Sequence, residues 1–444
     1  MQPLESAAPL IIYIDFKSPY AYLAIEPTRK LLAELGVVAD WRPFVLNIGS
    51  YLGTAKLAKT GEVKEQKRTA EQWSGVKYAY FDCRRYANLR ALTVRGTVKI
   101  WNTDLPAIGM FWLKQQESLV EQCQPDSLLA RYIDAVYVPF WKRELDVEQL
   151  DAVEAILEDI GADVTGFREY ATGPGQTFNT EFQQATFAAG VYGVPTYLVQ
   201  APEGQSTHRY FGREHLPRIA WHLSGERGPA PDVEYESGAV PADAGDSGLT
   251  ACVDFKSPGA YLALAPTIEM AQELGIHVDW QIVQVPALRK PKDPGAQADR
   301  GALHKYIRGR YVADDLQRYA PHPLQDLFDT QRSDAAAIGL LWVRQHQADS
   351  DAYVQAVFAR YWQQQQGIDD LDDIEAVLKE LNLSVVGFKD FAAVDGADGA
   401  AANREELRAK GVITSPTYLL GDEPFQGRQH LPLLRARLEA ARQD

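Results

Sequence analysis

The sequence predicts an α/β protein built from two copies of one domain, each with an all-helical insertion between a βαβ half and a ββα half. Three observations predict this fold class. The chain has 444 residues, which exceeds what one hydrophobic core usually organises. A set of motifs occurs twice in the same order. Each copy also has short apolar runs near both ends and a long stretch of helical spacing between them.

Three pairs of motifs carry the repeat. They are Asp15-Phe-Lys-Ser-Pro-Tyr-Ala-Tyr-Leu23 with Asp254-Phe-Lys-Ser-Pro-Gly-Ala-Tyr-Leu262, Gly193-Val-Pro-Thr-Tyr-Leu198 with Thr414-Ser-Pro-Thr-Tyr-Leu419, and Phe211-Gly-Arg-Glu-His-Leu-Pro217 with Gln426-Gly-Arg-Gln-His-Leu-Pro432. The segment between the copies is rich in Gly, Pro, Ala and acidic residues without an apolar period, which is typical of a linker. We therefore predict one domain at 1–224 (repeat one), a linker at 225–248 and a second domain at 249–444 (repeat two).

Hydrophobic spacing and turn residues predict the elements of each copy. The expected order in repeat one is a strand at 10–16, a helix ending at Leu35 before Gly36, a strand at 37–46, helices from about 64 to 190, a strand pair at 197–199 and 208–211 around a turn at 201–206, and a last helix at 213–223. The loop after the first strand therefore lies at a helix N-terminus, where backbone N–H groups point at whatever binds.

Composition excludes several classes of partner. The formal charge is −15 and no stripe of Lys and Arg is interleaved with aromatic residues, so nucleic acid and anionic membranes are not expected to bind. The chain has three cysteines, no CxxC motif and no Cys/His cluster at zinc spacing, which predicts a reducing compartment and no metal. With no signal-peptide pattern and no long apolar run, we predict a cytoplasmic protein with a small-molecule substrate.

The motifs also carry a resemblance to a known family. The Ser-Pro-Tyr-x-Tyr-Leu block at Ser18, the Gly-Val-Pro-Thr block at Pro195 and Phe211-Gly212 resemble the DsbA-like thioredoxin-fold family, which contains 2-hydroxychromene-2-carboxylate isomerases and kappa-class glutathione transferases. The resemblance covers nearly all of both repeats. It implies two thioredoxin-like domains, each with the helical insertion.

The resemblance also implies a glutathione site in each repeat. In the family, the serine after the first strand faces the glutathione sulfur, the residue before the proline pairs its backbone with the tripeptide, and the acid after the glycine meets the γ-glutamyl ammonium. Carried over by match, the repeat-one residues are Ser18, Tyr20, Val194, Pro195, Gly212 and Glu214, with Ser18 and Tyr20 as the catalytic candidates. The repeat-two candidates are Ser257, Ser415 and Pro416. Both prolines are expected to be cis.

Each repeat departs from the family pattern in its own way. The family's Asn-x-Pro-Pro segment is absent from both repeats, and Gly75 stands where a lysine is expected. Repeat two has Gly259 in place of Tyr20 and Gln429 in place of Glu214. Repeat two is therefore the more degenerate copy.

Three functions stay open at this point. The first is a glutathione-dependent isomerase or transferase, whose small electrophilic organic substrate can be aromatic, and which without CxxC is not a dithiol oxidoreductase. The second is a non-catalytic scaffold in which repeat two pairs with repeat one inside one chain, making the protein a monomer. The third is a thiol-independent isomerase that uses an aromatic lining around Tyr20, Trp112 and Tyr137.

Overall fold

The computed structural model of this chain describes most of its 444 residues. The described residues are 1–53, 55–57, 63–66, 68–200, 207–238, 240, 248–325, 327–328 and 332–442. The predicted turn at 201–206 lies outside them, as do 239 and 241–247 of the predicted linker.

Contacts divide the chain into two compact units. Unit one consists of Met1–Val233 and Asp293–Arg308, and unit two consists of Glu234–Lys292 and Gly309–Asp444. The division falls inside the predicted linker, and it places Asp293–Arg308, which belongs to the sequence of repeat two, in unit one. A division by contacts is not a division by repeats, so the repeat bounds stay a prediction.

Repeat one follows the order that the sequence predicts, with an additional short helix and strand pair before the helical insertion. Its strands are β1 (Leu10–Ile14), β2 (Ala39–Pro43), β3 (Ala55–Leu57), β4 (Val63–Gln66), β5 (Thr196–Val199) and β6 (His208–Phe211). Its helices are α1 (Pro19–Leu35), α2 (Gly49–Leu52), α3 (Ala70–Leu89), α4 (Asp104–Leu113), α5 (Leu128–Trp141), α6 (Leu150–Asp159), α7 (Phe167–Thr172), α8 (Pro174–Ala188) and α9 (Leu216–Leu223). The helical insertion begins at Ala70 instead of about residue 64, because β4 pairs with β3.

Four strands form a mixed sheet in the order β2-β1-β5-β6. Strand β1 pairs parallel to β2 and antiparallel to β5, and β6 pairs antiparallel to β5. All five side chains of β1 are buried, as expected for a central strand that is covered on both faces. This is the α/β sheet that the apolar runs at both ends of the repeat predict.

Local signals in the sequence set the bounds of α1. Ser18 is the N-cap, and its Oγ accepts a hydrogen bond from the backbone N–H of Ala21 at 3.2 Å. Pro19 occupies the first helical position, where its missing N–H is not needed. Gly36 ends the helix with a φ of 64°, a left-handed conformation that favours glycine.

Repeat two has the same kind of sheet. Its strands are β7 (Leu249–Val253), β8 (Val278–Ile282), β9 (Thr417–Leu420) and β10 (Glu423–Gln426), in the order β10-β9-β7-β8. Its helices are α10 (Pro258–Leu274), α11 (Arg300–Tyr319), α12 (Asp334–Gln345), α13 (Ser350–Phe358), α14 (Leu371–Glu380), α15 (Phe388–Phe391), α16 (Ala397–Ala409) and α17 (Leu431–Ala440). Among the described residues, none of these helices or those of repeat one is both long and apolar enough to span a bilayer.

Candidate functional site

The sheet brings the predicted site residues of repeat one to one end. In the register, Tyr13 near the end of β1 pairs with Thr196 at the start of β5, and Thr196 also pairs with Phe211 at the end of β6. The segments just beyond these three positions therefore leave the sheet at the same end. They contain the predicted residues Ser18 and Tyr20, Val194 and Pro195, and Gly212 and Glu214.

A buried polar network holds the loop between β1 and α1. The Thr103 hydroxyl donates to Asp15 Oδ1 at 2.6 Å, and Lys17 Nζ lies 3.1 Å from Asp15 Oδ2. Lys17 Nζ also donates to Thr103 Oγ1 at 2.9 Å, and the Tyr137 hydroxyl donates to the Asp15 carbonyl at 3.0 Å. The charges of Asp15 and Lys17 are buried and paired with each other. The network therefore orients the loop that carries Ser18.

Ser18 is buried at the N-terminus of α1, at 6% exposure. Its oxygen accepts the capping bond from Ala21, and its hydroxyl hydrogen has no acceptor among the described residues. Positive partial charge at the N-terminus of a helix stabilises an anion placed there. A hydroxyl donor in this position can hold a thiolate or a carboxylate.

The two predicted cis prolines are cis in the structure. The bonds are Val194–Pro195 and Ser415–Pro416. Val194 is buried, and neither its backbone N–H nor its C=O has a hydrogen-bond partner in the part of the chain that is described. These groups can pair with the backbone of a peptide-like ligand.

The glycine after β6 packs against the cis-proline loop. The N–H of Gly212 donates to the Pro195 carbonyl at 3.0 Å, and Gly212 has a φ of 113°. A Cβ at this position would lie 2.1 Å from a carboxylate oxygen of Glu214, so no larger residue fits without displacing that side chain. In repeat two, Gly427 donates to the Pro416 carbonyl at the same distance, 3.0 Å.

Tyr20 is half-buried and contacts helix α3. Its hydroxyl donates a hydrogen bond to Asp82 Oδ2 at 3.3 Å. Asp82 Oδ1 in turn forms an ion pair with Arg85 Nη1 at 2.7 Å. Burial raises the pKa of Asp82, and Arg85 and Arg213 oppose this effect. The sequence predicts a local ion pair between Asp82 and Arg85, and the structure adds that the pair is buried and anchors Tyr20.

The equivalent site in repeat two is closed by its own side chains. The Ser257 hydroxyl donates to the backbone carbonyl of Ser415, the residue before the cis proline, at 3.0 Å. The Ser415 side-chain oxygen in turn accepts from the Asp254 N–H at 2.7 Å. Gly259 lies beside this contact, since a Cβ there would touch the same Ser415 carbonyl at 3.4 Å. The serine hydroxyl and the pre-proline carbonyl, which have no such partner among the described residues of repeat one, are therefore bonded to each other in repeat two.

Comparison with family models gives the family of both halves. Residues 9–224 and 249–439 each match the model described as the DSBA-like thioredoxin domain, and together they make up most of the chain. The chain belongs to this family. The two DSBA-like domains thus account for both sheets and for the duplicated motifs.

Two kinds of relative accompany this match. A 2-hydroxychromene-2-carboxylate isomerase from Pseudomonas sp. (strain C18) is 28% identical over 188 residues, which cover 41% of this chain and 85% of that protein. A solved 2-hydroxychromene-2-carboxylate isomerase is 23% identical with a TM-score of 0.35, covering 44% of this chain and 96% of that one. The cytosolic disulfide reductase DsbM from Pseudomonas aeruginosa, solved with GSH, is 15% identical with a TM-score of 0.32, covering 44% and 99%.

The three thiols of these DSBA-like domains are poorly placed for redox chemistry. Cys83 and Cys252 are buried, and Cys123 is partly exposed. Burial raises the pKa of all three, to about 12 for Cys252. The Cys123 thiol also donates to the Ala39 carbonyl at 3.0 Å. Because the thiolate is the reactive form, these cysteines are expected to be inert.

The aromatic lining that the sequence suggests does not form. Tyr137 is fully buried and packs on Phe16 and Tyr22. Trp112 packs on Phe167 in the helical insertion, and its indole N–H donates to the Asp163 carbonyl at 2.7 Å. The expectation that Tyr20, Trp112 and Tyr137 share a cleft is therefore wrong, because Tyr137 is fully buried and Trp112 packs within the helical insertion.

One cluster has the donor set of a metal site. His208, His222 and Glu226 have ligand atoms that lie within 4.8 Å of one another. The sequence shows no carboxylate pattern beside these histidines, but the turn after α9 places Glu226 Oε1 2.8 Å from His222 Nδ1. His222 Nε2 is also 2.7 Å from the Tyr210 hydroxyl. A metal bound by His222 would have to replace one of these bonds.

Sequence reasoning missed Arg300 and His304. Both are numbered in repeat two but belong to unit one, and His304 is buried there against Tyr51 and Tyr192. Tyr192 is two residues before Val194, so the contact reaches the loop of the cis proline. No signal in the sequence joins positions so far apart.

Proposed function

We propose that repeat one is a glutathione-dependent isomerase or transferase that acts on a small electrophilic organic substrate. The proposal takes its chemistry from the 2-hydroxychromene-2-carboxylate isomerase of Pseudomonas, which is similar to this chain over 188 residues. In it, Ser18 holds the glutathione sulfur, Val194 pairs with the tripeptide backbone, and Glu214 receives the γ-glutamyl ammonium. Tyr20 faces the substrate.

A single observation carries the proposal. In repeat one the Ser18 hydroxyl hydrogen and the Val194 backbone groups have no partner among the described residues, whereas in repeat two Ser257 donates to the Ser415 carbonyl at 3.0 Å. Buried polar groups without partners are costly, and a ligand that bonds to them removes the cost. The serine hydroxyl of repeat one is therefore available to a ligand, whereas the equivalent hydroxyl of repeat two is already bonded within the protein.

The arrangement supplies what a thiol addition needs. A hydroxyl donor and a helix N-terminus stabilise the thiolate of bound glutathione, so more of the thiol is ionised at neutral pH. The thiolate adds to an electrophilic carbon of the substrate, and the electron pair moves onto the conjugated acceptor. Rotation about the bond that has lost its double-bond character, followed by expulsion of the thiolate, gives the isomer. In a transferase, protonation leaves the adduct as product.

We propose that repeat two does not bind glutathione. Its serine is bonded to its own pre-proline carbonyl, and Gln429 replaces the acid that Glu214 provides in repeat one. The backbone N–H of Tyr235, which precedes repeat two, also donates to the Gln429 carbonyl at 2.7 Å. A tripeptide would have to break these bonds before it could form its own.

Calorimetric titration with glutathione tests both statements. We expect one site in the full chain, with affinity reduced about 10-fold in Ser18→Ala, because a hydrogen bond to a charged group is lost. Ser257→Ala is the matched control, because it removes the same kind of N-capping hydroxyl from a helix of equal length, 17 residues. Two equal sites, or a stronger effect of Ser257→Ala, would contradict the assignment to repeat one.

Turnover separates the glutathione hypothesis from the thiol-independent one. The substrate to assay first is 2-hydroxychromene-2-carboxylate, the compound in the name of the Pseudomonas relative. We expect isomerisation with glutathione and none without it. Turnover in the absence of any thiol would favour the thiol-independent alternative, although the full burial of Tyr137 and the packing of Trp112 on Phe167 do not support it.

Two further proposals follow from the same chemistry. Because the chain has no CxxC motif and its three thiols have raised pKa values, we propose that it does not reduce disulfides by a dithiol mechanism. An insulin-reduction assay should show no activity above the thiol alone. Pairing of the two repeats within one chain, which would make the protein a monomer, stays a prediction for light scattering to test.

A further inference from the structure

Asp293–Arg308 adds an aromatic and cationic cluster to unit one. The His304 ring stacks on the Tyr51 ring with centroids 3.9 Å apart and planes within 3° of parallel. The Tyr192 ring packs edge-on against the His304 ring, with centroids 5.6 Å apart. The backbones at Gly301 and Ser50 also approach closely, since a Cβ on Gly301 would lie 2.4 Å from the Ser50 carbonyl oxygen. This is a packed contact and not a loose surface one.

Arg300 lies in the same cluster without an acidic partner. Its guanidinium carbon lies 4.0 Å from the centre of the Phe187 ring. No carboxylate of the described residues forms an ion pair with Arg300, although the chain carries a net charge of −15. Arg300 is half-buried, and this partial burial lowers the pKa of its guanidinium.

The cluster is at the end of the sheet that carries Ser18. Strand β2 runs parallel to β1 and ends opposite Ile14, so the chain that leads to Tyr51 leaves the sheet at this end. The N–H of Leu46 in that connection donates to Asp15 Oδ2 at 2.7 Å. Burial raises the pKa of Tyr51, and the Asp15 charge adds to this effect. Tyr192, which contacts His304, lies two residues before Val194 and so leads into the cis-proline loop.

We propose that Arg300, which lies over Phe187 and one helical turn before His304, binds a carboxylate of the ligand at the repeat-one site. A partly dehydrated guanidinium over an aromatic face offers two parallel N–H donors, and carboxylate is the anion whose shape matches them. The inference rests on the proposed function for the location of the ligand, and it adds that residues numbered in repeat two complete the site of repeat one.

Two molecules can supply this carboxylate, and titrations distinguish them. One is the glycyl carboxylate of glutathione, so glutathione is compared with its glycyl ethyl ester. The other is an organic acid bound next to glutathione, so salicylate is titrated in the presence of saturating glutathione. Each titration uses the full chain, Arg300→Ala, Arg300→Lys and the control Lys305→Ala, which removes an exposed charge from the same helix.

We expect Arg300→Ala to lower the affinity for the probe that binds at this site by about 10- to 100-fold, which is the effect of losing a charge-assisted hydrogen-bonded pair. Arg300→Lys should fall between Arg300→Ala and the wild type, and Lys305→Ala should stay within about 2-fold of the wild type. For glutathione, the discrimination between acid and ester should disappear in Arg300→Ala. A purely structural role would weaken acid and ester alike, and that readout would overturn the inference even if Arg300→Ala were less stable.

The outcomes separate the two proposals. Glutathione binding that Arg300→Ala leaves unchanged, together with unchanged salicylate binding, would overturn the inference and leave the proposed function standing. Salicylate binding that depends on Arg300 in a chain that binds no glutathione would support the carboxylate site and overturn the glutathione function. Failure of both probes to bind the wild type would overturn both.

Discussion

Protonation of His304 should destabilise unit one, and His304→Gln isolates the effect. The ring stacks on Tyr51, contacts Tyr192 and has Arg308 and Arg300 as charged neighbours. Burial, with repulsion from the two arginines, lowers the pKa of His304 from 6.5 to about 4, and a hydrogen bond to the Tyr192 backbone opposes this effect. Gln keeps an N–H donor for that backbone and does not titrate.

The size and sign of the effect follow from linkage. Because the folded pKa lies below the unfolded value, the unfolded chain binds the extra proton, and stability is present above pH 6.5 and lost as pH falls towards 4. The difference of about 2.5 in pKa, at about 1.4 kcal/mol per unit, sets a ceiling of about 3 kcal/mol. Arg308 is exposed and its repulsion is screened, so we expect about 2 kcal/mol.

Two measurements check this prediction. The first is an NMR titration of the histidine ring protons, in which the signal that is missing from His304→Gln should titrate near pH 4. The second is urea unfolding of both proteins between about pH 7 and about pH 4, in which the wild type should lose about 2 kcal/mol more than the variant. Parallel stability curves, or a ring that titrates at its ordinary pKa, would show that His304 is not buried as described.

Three further changes should act through packing and charge. Gly109→Ala should destabilise the protein by about 1–3 kcal/mol, because its Cβ would lie 2.2 Å from the buried Tyr132 hydroxyl. Gly75→Ala in helix α3 has nothing within 4 Å and should stabilise by up to about 1 kcal/mol. Asp82→Asn should cost about 3 kcal/mol, since it leaves the buried Arg85 without its carboxylate. Chemical denaturation measures all three variants.

Each of these three predictions has an outcome that would contradict it. If the two glycine substitutions changed the free energy of unfolding equally, the close approach at Gly109 would be relieved by a small movement of the Tyr132 side chain. If Asp82→Asn left the free energy of unfolding unchanged, Arg85 would have to bond to another acceptor or to water. A loss of turnover in Asp82→Asn without a loss of stability would instead assign this carboxylate to Tyr20 and the reaction.

Much of the fold could be predicted because its signals are local. The duplication, the buried strand at Leu10–Ile14 and the helix from Pro19 to Gly36 can be read from motif order, β-branched runs and capping residues. The pairing of Asp82 with Arg85 follows from their spacing on one helix. Such features involve residues within a few turns of each other, so neighbouring side chains carry the information.

The state of each candidate site depended on contacts across the chain. The sequence places the same serine and proline motifs in both repeats, yet Ser257 bonds to Ser415 over 158 positions while Ser18 makes no such bond. The burial of Tyr137, which removed it from the predicted lining, is equally a property of the packed insertion. Periodicity reports which face of an element is apolar, and it does not report which polar group finds a partner.

The sequence by itself thus determined the family, the two sheets and the end of each sheet where the motifs meet. Only the tertiary structure decided that repeat two closes on itself and that His304 lies on Tyr51, some 253 positions away along the chain. The physical reason is that strands and helices follow from short-range patterns and burial, whereas hydrogen bonds and ring stacking at a site require distances of 3 to 4 Å between residues that only the folded chain brings together.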